Sequence, residues 1–153
     1  MRTTLFLLFI AFANTIAFGQ ESKIDLKTEY DKIEQAREFF IQTLKEKQYQ
    51  NLAACITRDY KTVNPGTAPW QAIAKVAEER GGIPYDSVAM YPMETVIVSD
   101  SIAYDFGKRK TYYTDNQGKS IELQDTFLAI LKKGKDGNWR LHREVASGLL
   151  DKN

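Results

Sequence analysis

Apolar residues recur along residues 25–47, DLKTEYDKIEQAREFFIQTLKEK, at steps of three, four and seven: Leu26, Tyr30, Ile33, Phe40 and Leu44. That spacing puts them on one stripe of an α-helix and leaves the charges on the other faces. Asp25 is the expected N-cap, and Lys45 and Lys47 suit the negative end of the helix dipole. A short second helix is expected over 50–56. RDYKTVNPG then reads as a short strand closed by the Asn64-Pro65-Gly66 turn. A third helix is expected over 69–80, where Trp70, Ile73, Ala74 and Ala77 share a face and Gly81-Gly82 stops the run.

After Gly82 the period changes from helical to alternating. Strands are expected over 87–98, 102–113, 121–133 and 139–147, joined by turns at Asp100-Ser101, TDNQGK and GKDGN. Pro92 marks the first of these as an edge or bulged strand. Helices first and hairpin-linked strands afterwards is an α+β order. Hairpin connections imply an antiparallel sheet with one face on the helices and the other free.

The chain has 153 residues and a hydrophobic content of 43%, enough for one domain with a packed core. The net charge of +1 offers no basic excess, so nucleic acid is not an expected partner. The first twenty residues, MRTTLFLLFIAFANTIAFGQ, read as a signal peptide. Arg2 supplies the positive start, and the apolar run Leu5–Phe12 is too short to span a bilayer. Small residues Ala17 and Gly19 predict cleavage between Gly19 and Gln20, with Ala13/Asn14 as the second choice. The domain is then 20–153, secreted or periplasmic, with no stable membrane anchor after cleavage. Cys55, the one cysteine, has no disulfide partner and sits in an apolar run, so an inert buried thiol is expected.

Three segments carry a family resemblance. They are EYDKIEQAREFFIQTLKEKQYQNLAACITRDY (29–60), DSIAYDFGKRK (100–110) and KDGNWRLHREVAS (135–147). Together they resemble the nuclear transport factor 2-like superfamily, which includes ketosteroid isomerase and the SnoaL-like cyclases. The resemblance implies a cone-shaped, strongly curved, mostly antiparallel sheet wrapped around the long N-terminal helix, as in cystatin-like folds. It also implies an interior pocket and, often, a homodimer through the sheet. The isomerase's catalytic motif is not among the matching segments, so no catalytic residue carries over.

Strand side chains alternate between faces. If odd positions face inward throughout, Asp105, Arg109, Asp125 and Arg143 all enter the interior. Pairing about TDNQGK sets Asp125 opposite Gly107 or Arg109. Buried charges must be paired, so one reading is a structural ion network. The other is a polar floor to an apolar pocket, with Arg109 and Arg143 holding an acidic ligand and Tyr60 and Trp70 as aromatic wall. His142 falls on the polar phase, where a solvated or rim position is expected. A lone histidine and no cysteine cluster give no metal site of ordinary ligand count, and no cofactor motif is present.

Three functions follow. The first is a secreted domain that binds a small apolar or acidic molecule. The second is an isomerase-like or cyclase-like enzyme with Asp105 or Asp125 as base and Tyr60 or Tyr112 as donor. An adjacent arginine would weaken such a base. The third is an interaction module that uses the free sheet face, where Ile102, Tyr104, Phe106, Leu128 and Ile130 lie.

Overall fold

The computed structural model describes residues 25–148, and the expected signal peptide lies outside them. Helix α1 spans Leu26–Lys45. The Asp25 carboxylate accepts from the Thr28 backbone N–H at 3.3 Å and from the Thr28 hydroxyl at 2.6 Å, which caps the helix. The helix ends before Lys47, which adopts a left-handed φ of 57°. Its buried face differs from the apolar stripe. Leu26 and Tyr30 are exposed, whereas Glu29, Ile33, Arg37 and Leu44 are buried. Glu29 and Arg37 go inward because both find partners there.

A 3-10 turn at Tyr49–Asn51 and the single turn α2 (Leu52–Cys55) lead into β1 (Ile56–Val63). Helix α3 spans Ala68–Arg80, and Gly81 supplies the left-handed residue that ends it (φ 65°). Four strands follow: β2 (Ser87–Ile97), β3 (Ile102–Thr114), β4 (Ser120–Lys133) and β5 (Trp139–Gly148). The sheet order is β1-β5-β4-β3-β2. The hairpin-linked strands are antiparallel. β1 pairs with β5 in parallel, so the sheet is mostly antiparallel, as the family resemblance implies. No hairpin joins β1 to β5, so no turn dictates their relative direction.

β3 and β4 pair without a slip from Ile102↔Lys132 to Thr114↔Ser120. Their inward faces therefore run in strict alternation: Ala103, Asp105, Gly107, Arg109, Thr111 and Tyr113 on β3, and Leu123, Asp125, Phe127, Ala129 and Leu131 on β4. At one end α1 packs Ile33 against Ala103, Leu131 and Trp139. At the other, α3 packs Trp70, Ile73 and Val76 against Tyr113 and Leu123. The inward charges lie between these two apolar clusters.

The register shifts within the edge strand β2 and within β5. In β2 the register shifts between Pro92 and Glu94, on the edge strand marked by Pro92. Pro92 pairs with Gly107, where any Cβ would meet the Tyr91 carbonyl oxygen and lie 2.8 Å from Pro92 Cα. In β5, Leu141 pairs with Leu131 but Arg143 pairs with Ile130, so His142 is an inserted residue. One extra residue swaps the faces of everything after it. Trp139 is buried before the bulge, and Glu144 and Ala146 are buried after it, while Val145 is exposed. The expectation that Arg143 and Val145 face inward is thereby corrected: Glu144 takes the inward place.

Candidate functional site

The interior charges form two groups. In the first, Arg37 reaches across from α1 and donates to Asp105 Oδ2 from Nη2 at 2.7 Å and from Nε at 3.2 Å. The Thr95 hydroxyl donates to the other Asp105 oxygen at 2.6 Å. Arg37 also bonds Glu34 at the surface. Burial works to lower the Arg37 pKa, and Asp105 with Glu34 outweighs it, so the guanidinium stays charged.

In the second group Arg109 forks onto Asp125, with Nε to Oδ1 at 3.1 Å and Nη2 to Oδ2 at 2.6 Å. Its remaining nitrogen, Nη1, donates to Glu144 Oε1 at 2.6 Å. Arg109 also stacks on Trp70, with Cζ 5.8 Å from the ring centre. Burial lowers the Arg109 pKa, but Glu144 and Asp125 raise it further. Burial pushes the Asp125 carboxyl above its ordinary value, and Arg109 acts against that rise. Tyr60 and Tyr85 lie within the field of this group. Burial, followed by the negative charge of Glu144, pushes the Tyr60 phenol up to about 12. Burial raises Tyr85 as well, with Arg109 opposing. One positive charge thus sits between two negative ones, beside two neutral phenols.

Of the six residues singled out from sequence, Tyr60, Trp70, Arg109 and Asp125 gather at this second group. Asp105 belongs to the first. Arg143 belongs to neither. Its side chain is 35% exposed and donates to the Asp59 carbonyl at 2.7 Å on the β1 edge. His142 lies beside it, partly exposed: its Nδ1 is 3.0 Å from the Thr57 hydroxyl and its side chain is 18% exposed. Tyr112 sits on the outward phase of β3 and is not near the interior carboxylates. Cys55 is buried with its thiol pushed up by desolvation, and Thr43 is its side-chain neighbour at 3.9 Å. Sequence reading missed Arg37, Glu144, Glu29 and Tyr85. For the first three, charge on an amphipathic pattern reads as solvent-facing. For Tyr85, the loop Gly82–Asp86 carries no periodicity.

The space around these groups is uneven. Between α1 and the sheet a gap of about 30 Å³ is bounded by Arg37, Phe40, Cys55, Asp105 and Leu131. That is room for water, not for an organic ligand. On the other side of the charged middle, a groove of about 310 Å³ opens along α3, lined by Trp70, Ile73, Ala77, Pro65, Pro84 and Tyr85 among others. Trp70 and Tyr85 form its inner wall and separate it from the Arg109 group. A third groove, of about 280 Å³, lies over α1 and the β4–β5 turn, but its cations are engaged: Lys32 with Glu29 and Arg140 with Asp136.

No protein-family model and no curated protein matches the sequence. Solved structures do match the fold. A ketosteroid isomerase-like protein from Erwinia carotovora atroseptica aligns at a TM-score of 0.59 and 20% identity, covering 80% of this chain and 97% of that one. A nuclear transport factor 2-like superfamily protein from Salmonella enterica aligns at 0.61 and 10% identity, over 84% and 96%. A protein from Catenulispora acidiphila in complex with S-DNPA aligns at 0.56 and 16% identity, over 80% and 94%. With the long N-terminal helix laid against a five-stranded, mostly antiparallel sheet, the chain has the nuclear transport factor 2-like, cystatin-like α+β fold.

Proposed function

We propose that the chain is a secreted binding domain that takes a small, mainly apolar molecule in the groove along α3, and that its interior charges are structural. The observation that carries this reading is the contrast in space. The gap under α1 is only about 30 Å³, while the α3 groove reaches about 310 Å³, within the lower range of ligand pockets. The fold neighbour in complex with S-DNPA supports binding as a use of this architecture. The enzyme alternative is weakened by the same geometry. Asp105, Asp125 and Glu144 each accept from a guanidinium, which disfavours their use as general bases.

The proposal includes a homodimer through the outer sheet face. Phe106, Leu128, Ile130 and Val145 are exposed there. Phe106 pairs with Leu128, and Leu128 with Val145, so the apolar side chains are contiguous. A second copy would cover them face to face, as an isologous contact requires.

A thermal-shift screen of small aromatic and alicyclic compounds tests the groove. Ala74 is exposed and lines it, so Ala74→Trp fills it without touching the core. Compounds that raise the wild-type Tm are expected to have no effect on Ala74→Trp. Compounds that stabilise both proteins equally would contradict the reading.

A further inference from the structure

We propose that Leu149 and Leu150 of the chain itself dock in the α3 groove when no ligand is bound, so that a ligand must displace them. The competition with ligand rests on the groove being the ligand site; the docking of the two leucines does not.

The antiparallel register with β4 carries β5 toward the α3 end of the molecule, and its last described pair is Asp125↔Gly148. At that point Gly148 lies against the start of α3. A Cβ built on it would stand 3.3 Å from Thr67 Cγ2 and 3.4 Å from Pro65 Cβ. Thr67 is the N-cap residue of α3, and Pro65 lines the groove. The residues that follow Gly148 therefore start at the rim of the groove.

Those residues are LLDKN, 149–153, and they lie outside the described residues. Leu149 and Leu150 form an apolar pair between Gly148 and the charged Asp151 and Lys152. Water is an unfavourable surrounding for two adjacent leucine side chains. Two extended residues advance roughly 7 Å, about the rise of four to five helical residues. A tail running along α3 from the level of Thr67 thus brings Leu150 between Trp70 and Ala74.

The groove suits such an occupant. Its wall is built mainly from hydrocarbon and aromatic surface, from Pro65, Trp70, Ile73, Ala74 and Pro84 among others. Gln71, a polar residue of the rim, already donates to the Gly66 carbonyl at 3.1 Å. About 310 Å³ of apolar space beside the exit of an apolar chain segment is complementary without any directed bond. The other path for the tail is along β4, which runs from Ser120 while its described pairs with β5 stop at Asp125. Continuing that register sets Leu150 beside Leu123 and Leu149 beside Gln124, which turns Leu149 to the outer face of the sheet. The groove can cover both leucines. A ligand then binds only the fraction of molecules with the groove open, and its apparent affinity falls by that fraction.

Two measurements on the full chain test this. In methyl-labelled, ligand-free protein, nuclear Overhauser contacts from the Leu149 and Leu150 methyls to the Ala74 methyl are expected. Contacts to Gln124 with none to Ala74, or no contact to Ala74 at all, would overturn the docking. In isothermal titration calorimetry with phenylpropanol, the double variant Leu149→Ser with Leu150→Ser is expected to bind about tenfold more tightly than wild type, the gain when the tail fills the groove nine-tenths of the time. Equal affinities would overturn the competition. If the affinities are equal, the Ala74 contacts are absent and Ala74→Trp abolishes binding, the tail inference fails while the groove stands as a ligand site. If the Ala74 contacts are present but no compound of the thermal-shift screen binds either protein, the docking stands and the ligand reading fails.

Discussion

Replacing Arg109 with methionine removes one cation from between two buried carboxylates. The Asp125 side chain is 0% exposed and that of Glu144 3%. Breaking a buried ion pair from one side costs about 3–5 kcal/mol, because the remaining charge is left in a low-dielectric interior. Here two charges are left, so the upper half of that range is expected, roughly 10–20 °C in Tm for a domain of this size. Arg143→Met is the matched control. Its partner Asp59 is 66% exposed, and such pairs contribute about 0–1 kcal/mol. Urea unfolding followed by circular dichroism measures both, with Cm as the readout and m as the check on two-state behaviour. The pH dependence gives a second handle. Burial already pushes the Asp125 carboxyl up, and loss of Arg109 removes the group that opposes this rise. A carboxyl whose native pKa exceeds its unfolded value binds more protons when folded, so its stability contribution falls as pH rises between the two values. Arg109→Met should therefore recover part of its deficit as the pH is lowered from neutrality. Equal losses in Arg109→Met and Arg143→Met, or a deficit in Arg109→Met that does not shrink on acidification, would refute the reasoning.

Glu29 accepts from Lys133 at 2.7 Å, from Trp139 Nε1 at 2.8 Å and from Lys32 at 2.9 Å, and the two lysines above all pull its pKa from 4.5 down to about 2. Its contribution is present above the unfolded pKa and is lost as pH falls from about 4.5 through 2, so Glu29→Gln should be less stable than wild type at neutral pH by about 1–3 kcal/mol and converge with it near pH 2 in denaturant titrations. Gly107→Ala sets a methyl against the Tyr91 carbonyl and Pro92 in the β2 bulge, and a loss of roughly 1–3 kcal/mol is expected in thermal unfolding. Phe106→Lys, on the outer sheet face, should leave the monomer folded by circular dichroism and abolish the dimer in sedimentation equilibrium; a wild-type monomer would refute the dimer.

Much of the fold was legible because β3 and β4 keep a strict alternation. Asp105, Arg109 and Asp125 could be assigned to one face from position alone, and Arg109 does pair with Asp125. The assignment failed at Arg143 for one physical reason. The inserted residue His142 costs no composition and disturbs no periodicity long enough to detect, yet it turns Glu144 inward. α1 misled in another way. Its moment points the apolar residues one way, while Glu29 and Arg37 are drawn in by Trp139 and Asp105, partners more than sixty residues distant in sequence. No local pattern reports such partners. Trp70 could be read as an aromatic wall, whereas the Pro84-Tyr85 side of the groove belongs to a loop with no pattern.

The two tryptophans occupy opposite ends of the molecule, Trp139 on α1's cluster and Trp70 on the wall of the α3 groove. Their indole N–H resonances in a ¹H–¹⁵N correlation spectrum report separately on the two ends during titration with an aromatic compound that raises the wild-type Tm. A saturable shift of the Trp70 resonance with that of Trp139 unmoved is the predicted result. A shift of Trp139 with Trp70 unmoved would contradict binding at α3.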